Sequence, residues 1–223
     1  MRVNADFDAR VIVRFDETDW IASPMPGVDR KMLDRIGTEV ARATSIVRYA
    51  PGSAFSAHTH DGGEEYLVLD GTFCDEHGAF PKGHYVRNPP TSSHTPSAPD
   101  GAVILVKLHQ FDPNDRQHVV IDTAAQDDAH LPLYADRSED VRIERIAAGA
   151  ELPLDARGGS EVFVISGSMT EAGDTLNAWD WLRLPTGGMT HLKGGPDGAE
   201  VWIKSGHLRE IAMGTLDADQ AAP

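Results

Sequence analysis

The sequence predicts an all-β chain built as two tandem barrels, and three observations predict it. Short apolar runs rich in β-branched residues recur between turn residues; the 223 residues include 21 glycines and 14 prolines; and a block beginning at Gly62 is repeated from Gly158. Runs this short are too brief for buried helices and suit pleated strands, and frequent turns favour a sheet architecture over a helical bundle.

The elements follow in order. Val11-Ile12-Val13 is a first strand-like run. Met32-Leu33, Ile36 and Val40 have helical spacing, while Gly37-Thr38-Glu39 fits a hairpin turn equally well, and the pattern alone leaves both open. Ser45–Tyr49 ends at Pro51-Gly52, Tyr66–Leu69 is bracketed by Gly62-Gly63 and Gly71, Val103–Val106 follows Pro99-Asp100-Gly101, and Val119–Ile121 follows a polar loop. Each reads as a strand.

The internal repeat gives the organisation. Gly62–Gly71 aligns with Gly158–Gly167 without a gap; Ile46 and Arg48 align with Ile143 and Arg145, Gly52 with Gly149, and Lys107 with Lys204. Val11-Ile12-Val13 has a counterpart in Val119-Val120-Ile121. A repeat of about 100 residues is too long for a solenoid unit and suits a small domain. The expected boundary falls near residue 117, giving domains 1–117 and 118–223.

The net charge of −15 and the pI near 4.9 disfavour binding to nucleic-acid phosphates. No apolar run approaches the roughly 18–20 residues that span a bilayer, and the N-terminal residues lack a signal-peptide core. A cytoplasmic protein is expected, with neither nucleic acid nor membrane as partner. The single cysteine, Cys74, excludes an internal disulfide and a Cys-based zinc site, and reads as a partly buried strand residue.

The chemistry-bearing constellation is His58, His60, Glu64 and His94. In a strand, His58 and His60 project from one face. Gly62-Gly63 lets the chain turn back, bringing the carboxylate of Glu64 to the same pocket, and His94 lies in a second turn-rich segment. Three imidazoles and one carboxylate form a normal donor set for Zn, Fe, Mn, Ni or Cu. By the ungapped repeat the second copy has Leu154, Ala156 and Ser160 in place of His58, His60 and Glu64, with His191 near the place of His94, so no metal is expected there. Tyr66 and Lys107 are candidates to line the pocket. Glu65, of opposite parity to Glu64, reads as an outward charge or as a partner of a ligand histidine. His77, His84, His109, His118, His130 and His207 read as solvated or ordinary polar partners.

These residues also carry a resemblance. Gly52, His58-x-His60, Glu64 and Gly71 match the first cupin motif at every fixed position. Gly83, Pro89 and His94 match the second, with Thr91 and Ala98 where the family has Gly and Asn. The chain therefore resembles a two-domain cupin, which implies two double-stranded β-helix, or jelly-roll, barrels. Asp19-Trp20, Pro26-Gly27-Val28, His58-x-His60-x-x-Gly63-Glu64-Glu65, Gly71-Thr72-Phe73 and Val86-Arg87-Asn88-Pro89-Pro90 resemble the cupin-like domain of the ChrR anti-sigma factors, which answer to photooxidative stress. That resemblance implies one zinc ion on His58, His60, Glu64 and His94 and a regulatory or sensory role. Iron, manganese or nickel fit the same donors. Nothing in the chain resembles the helical sigma-binding domain of that family, so a sigma-factor partner is not implied. The subgroup also resembles small oxygenases that cleave diketones, the alternative reading being an Fe- or Mn-dependent dioxygenase with a small-molecule substrate. A storage scaffold fits the retained ligands least well. By analogy with cupins a homodimer is expected.

Overall fold

A computed structural model describes residues 1–38 and 40–209. Along the chain run β1 (Val11–Val13), β2 (Val28–Gly37), β3 (Ala41–Tyr49), β4 (His58–Thr59), β5 (Glu64–Asp75), β6 (His84–Asn88), β7 (Ser93–His94), β8 (Ala102–Leu108) and β9 (Val119–Asp122). They are followed by β10 (His130–Ala135), β11 (Asp140–Ile146), β12 (Glu151–Asp155), β13 (Ser160–Glu171), β14 (Trp181–Leu184) and β15 (Met189–Ser205). Shorter strands complete the set, and the described residues contain no helix, as the all-β expectation requires.

The helical spacing of Met32, Leu33 and Ile36 belongs to strand β2, which turns back into β3; Glu39 itself lies outside the described residues. The pattern is ambiguous because β2 is buried on both faces from Lys31 to Gly37. A strand with no solvated face does not alternate apolar and polar residues.

The chain forms two compact units. Among the described residues the first takes Met1–Ala5 and Asp19–Gln126; the second takes Asp6–Thr18 and residues 127–209. In the first unit the main sheet runs β2–β3–β8–β5–β6–β9, all antiparallel. In the second it runs β10–β11–β15–β13–β14–β1. The two paths are the same path. The leading strands of the two sequence repeats are exchanged: β1 pairs with β14, and β9 pairs with β6. A division at residue 117 separates the sequence repeats, whereas the compact units trade their first strands.

Each unit encloses an apolar interior. In the first it is built from Val47, Tyr66, Val68, Phe73, Phe80, Val86, Ile104 and Val106. In the second, the aligned positions are Val162, Val164, Met169, Leu176, Leu182, Val201 and Ile203, and Ile12 of β1 packs against them. The opposite sheet face is also buried, and both units keep a polar group there. Glu65, Arg87 and Lys107 face one another across β5, β6 and β8, as Glu161, Arg183 and Lys204 do across β13, β14 and β15. Tyr85 donates to Glu65 at 2.7 Å, and Trp181 donates to Glu161 at 3.2 Å. Buried charges of this kind persist only when paired and hydrogen-bonded.

Candidate metal centre

The site forms where three segments of the first unit meet. Strands β4 and β7 pair with His58 opposite His94. The chain then leaves β4, and the Ser92 carbonyl accepts the His60 N–H at 2.9 Å, while the His60 carbonyl accepts the Thr91 N–H at 3.0 Å. These bonds bring a third imidazole beside the first two. The ring centroids of the three pairs lie 5.1, 4.8 and 4.6 Å apart. One nitrogen from each of His58, His60 and His94 lies within 4.8 Å of the others, the only such His, Cys, Asp or Glu cluster among the described residues.

Glu64 opens β5 on the inward parity. Gly63 has φ +77°, and a Cβ there would lie 2.4 Å from the Phe111 ring, so both the backbone and the space require glycine. The turn carries the Glu64 carboxylate to 3.3 Å from His60 Nε2 and 3.8 Å from His94 Nε2. Asn88, opposite Glu64 on β6, donates to its Oε2 at 3.2 Å.

In each imidazole Nδ1 is engaged from outside the cluster. His94 Nδ1 lies 3.1 Å from Asp75 Oδ2, His60 Nδ1 lies 3.0 Å from Ser92 Oγ, and His58 Nδ1 lies 3.3 Å from the Ser56 carbonyl. Such partners fix ring orientation and leave Nε2 as the donor facing inward. The Nε2 of His60 is buried and makes no hydrogen bond.

Electrostatics tell the same story. Burial, reinforced by neighbouring His58 and His109, pushes the His60 pKa down to about 4. Burial also lowers His94, against the pull of Glu64 and Asp75. Both rings are therefore neutral, the form that ligates a metal. Burial raises Glu64 above the usual carboxylate range, partly offset by His94 and Asn88. Two neutral imidazoles turned on a buried carboxylate lack the positive charge that would stabilise it, and the donors present fit a divalent cation.

Other expected residues fall differently. Tyr66 lines the interior, next to Phe73 at 5.1 Å between ring centroids. Lys107 does not line the pocket: its parity sends it to the opposite sheet face, where Nζ donates to Thr44 Oγ1 at 2.7 Å. Glu65 faces away from the ligands, as parity demands, but it is buried rather than solvated and is paired with Arg87. Asp75, Ser92 and Asn88 are the residues that sequence reasoning passed over. Asp75 sits in a hairpin, where its Oδ1 accepts the backbone N–H of His77 and Gly78, so it reads simply as a turn former.

In the second unit the equivalent space is closed. Leu154, Ala156 and Leu184 are buried in the apolar cluster at the positions of His58, His60 and Asn88. Ser160 bonds to Ser205 at 3.0 Å. Thr190, not His191, stands opposite Leu154 on the pattern of His94 and His58, and His191 is exposed on the other face. His191 therefore lies next to the place of His94, as expected, but not at it.

Comparison with known proteins places this geometry. Residues 8–112 match the family model of the ChrR cupin-like domain. No curated protein matches the sequence. Among solved structures, a candidate dioxygenase from Nostoc punctiforme superposes with a TM-score of 0.72 at 13% identity, covering 92% of this chain and 85% of that one. The bacterial pirin YhhW from Escherichia coli, in complex with nickel(II), gives 0.68 at 13% identity, covering 88% of this chain and 98% of the other. A cupin 2 conserved barrel domain protein from Leptotrichia buccalis gives 0.60 at 13% identity over 87% and 95% of the two chains. No helix among the described residues is long and apolar enough to cross a membrane. Residues 8–112 thus match the ChrR cupin-like domain, and the fold is that of the cupin jelly-roll proteins it superposes on.

Proposed function

We propose that the first cupin domain, residues 1–117, binds one divalent ion through His58, His60, His94 and Glu64, and that the protein is a metal-dependent dioxygenase. Its substrate would be a small oxygen-bearing organic molecule such as a diketone. The degenerate domain, residues 118–223, would carry no ion and serve as scaffold.

The observation that carries this reading is the uneven burial of the donors. His60, His94 and Glu64 are buried, whereas His58 is exposed. A structural metal site is normally closed on all sides, and a catalytic one keeps a side open to exchange. An iron or manganese ion bound here would supply Lewis acidity and electron transfer towards dioxygen. The protein's own part is orientation and exclusion. Asp75 and Ser92 hold their imidazoles at the angle that turns Nε2 inward. Asn88 fixes one carboxylate oxygen of Glu64. Tyr66, Phe73 and Phe80 form an apolar wall that keeps water from the inner side. The likeness in fold to the Nostoc protein supports the reading without deciding the substrate.

A second reading rests on the match of residues 8–112 to the ChrR cupin-like domain. In it the ion is a redox-inert zinc, and the site is regulatory or sensory with no turnover.

Elemental analysis of protein purified without added metal, with His58→Ala as control, separates the readings. Iron or manganese near one per chain, absent from the variant, together with oxygen uptake on a diketone panel, is expected. Stoichiometric zinc, and no oxygen uptake after iron loading, would overturn the dioxygenase reading and favour the sensory one. No metal in either protein would overturn both.

A further inference from the structure

We infer that His109 is a positioning residue of the metal centre, its ring clamping the loop that carries His60 and Glu64. This rests on the metal-binding reading above and extends it to a residue outside the donor set.

The comparison of the two repeats isolates the side chain. His109 follows β8 and Gly206 follows β15, at matching places. The His109 N–H donates to the Gly63 carbonyl at 3.0 Å, and the Gly206 N–H donates to the Gly159 carbonyl at 2.9 Å. Two residues on, Phe111 donates to Gly62 at 3.3 Å, and Leu208 donates to Gly158 at 3.0 Å. The backbone device is the same in both units, and in both the residue is left-handed, φ +56° at His109 and φ +93° at Gly206. A side chain is disfavoured in that conformation and glycine is not. The unit without metal donors has the unstrained residue. The unit with them keeps an imidazole, which the backbone bonds do not require.

Where that ring lies shows what it does. A Cβ on Gly62 would come 2.3 Å from His109 Nδ1 and 2.6 Å from its Cγ, so the ring rests directly on the Gly62 backbone. Gly62 is the midpoint between His60 and Glu64. The loop is pinned on its other flank by residues 91 and 92 through the bonds of the His60 backbone. His109 also lies near enough to His60 and Asp61 to interact with them electrostatically. Strain of this kind collects at functional sites, where the surrounding structure holds it in place. The segment between two metal donors is thus gripped from both sides, and His109 supplies one of the grips.

The test titrates the metal-free full-length protein with cobalt(II) alone, following its visible spectrum, beside thermal unfolding of the same metal-free samples. His109→Gly installs the second repeat's own residue, and His109→Asn keeps a left-handed-tolerant side chain without the ring. Both variants are expected to bind cobalt about 10-fold more weakly with a changed ligand-field spectrum, the usual range for partners outside the donor set. The melting temperature of His109→Gly should equal or exceed that of the wild type. Wild-type affinity and spectrum in either variant would overturn the inference, as would a lowered melting temperature in His109→Gly, which would assign the ring to the fold. A wild-type protein that takes up no cobalt would instead overturn the metal centre itself, and the inference with it.

Discussion

At the scale of the residue, the centre works by division of labour within each imidazole. One nitrogen is engaged outside the cluster, and in His60 and His94 the other lies 3.3 and 3.8 Å from the Glu64 carboxylate. Asp75 is the strongest of the outer partners, since its carboxylate both orients His94 and increases its basicity. Asp75→Asn keeps the shape and removes the charge; metal affinity is expected to fall about 10- to 100-fold with the circular dichroism spectrum unchanged, which a competition titration against a chelator will measure. Protonation gives a second expectation. The native His60 resists protons down to a pH of about 4, whereas its unfolded form accepts them from about 6.5. In that interval the unfolded state binds more protons, so the metal-free protein loses stability as pH falls. The raised Glu64 acts in the opposite direction, because its native form takes a proton more readily than its unfolded form. Urea unfolding at several pH values should therefore show a steeper loss between pH 6.5 and 4 for wild type than for His60→Gln. A parallel pair of curves would contradict the assigned cause.

At the scale of the element, parity decides which side chains face the histidine cluster. On β5, Glu64 and Tyr66 face inward while Glu65 between them joins Arg87 and Lys107 on the other face. The clustering of the three imidazoles was legible in the sequence because motif spacing and strand period converge on it. Lys107 was misplaced because its parity follows from its register against Glu65, which only the paired strands reveal. Glu65 was half read, because alternation gives the direction of a side chain and not what covers it. The left-handed turn before β5 provides the test at this scale. Gly63→Ala meets both the positive φ and the Phe111 ring, and is expected to destabilise the protein by at least about 2 kcal/mol. It should also displace Glu64, so metal affinity should fall in the same variant. Calorimetry and a metal titration on one sample measure both.

At the scale of the whole molecule, the exchanged leading strands define how the chain divides. The likeness of Val11-Ile12-Val13 to Val119-Val120-Ile121 was visible, and it identified the two strands as equivalent. Equivalence is also why the exchange was hidden: two strands of the same pattern suit either sheet edge, and nothing local distinguishes the edges. Fragments cut at residue 117 are each expected to fold poorly, since residues 1–117 lack β9 and residues 118–223 lack β1. A fragment of residues 19–126 retains the six strands of the first main sheet and should give the dispersed amide spectrum of a folded domain. Equal dispersion from residues 1–117 would show that β9 is dispensable.

The same exchange has a consequence for synthesis on the ribosome. Once residue 126 has emerged, every strand of the first unit's main sheet is available, and that half can close while the rest is still being translated. Strand β1, made among the first residues, has no partner until Trp181–Leu184 appear. An early strand thus waits for one of the late ones, and for most of translation it is an unpaired edge, a segment of the nascent chain in need of protection.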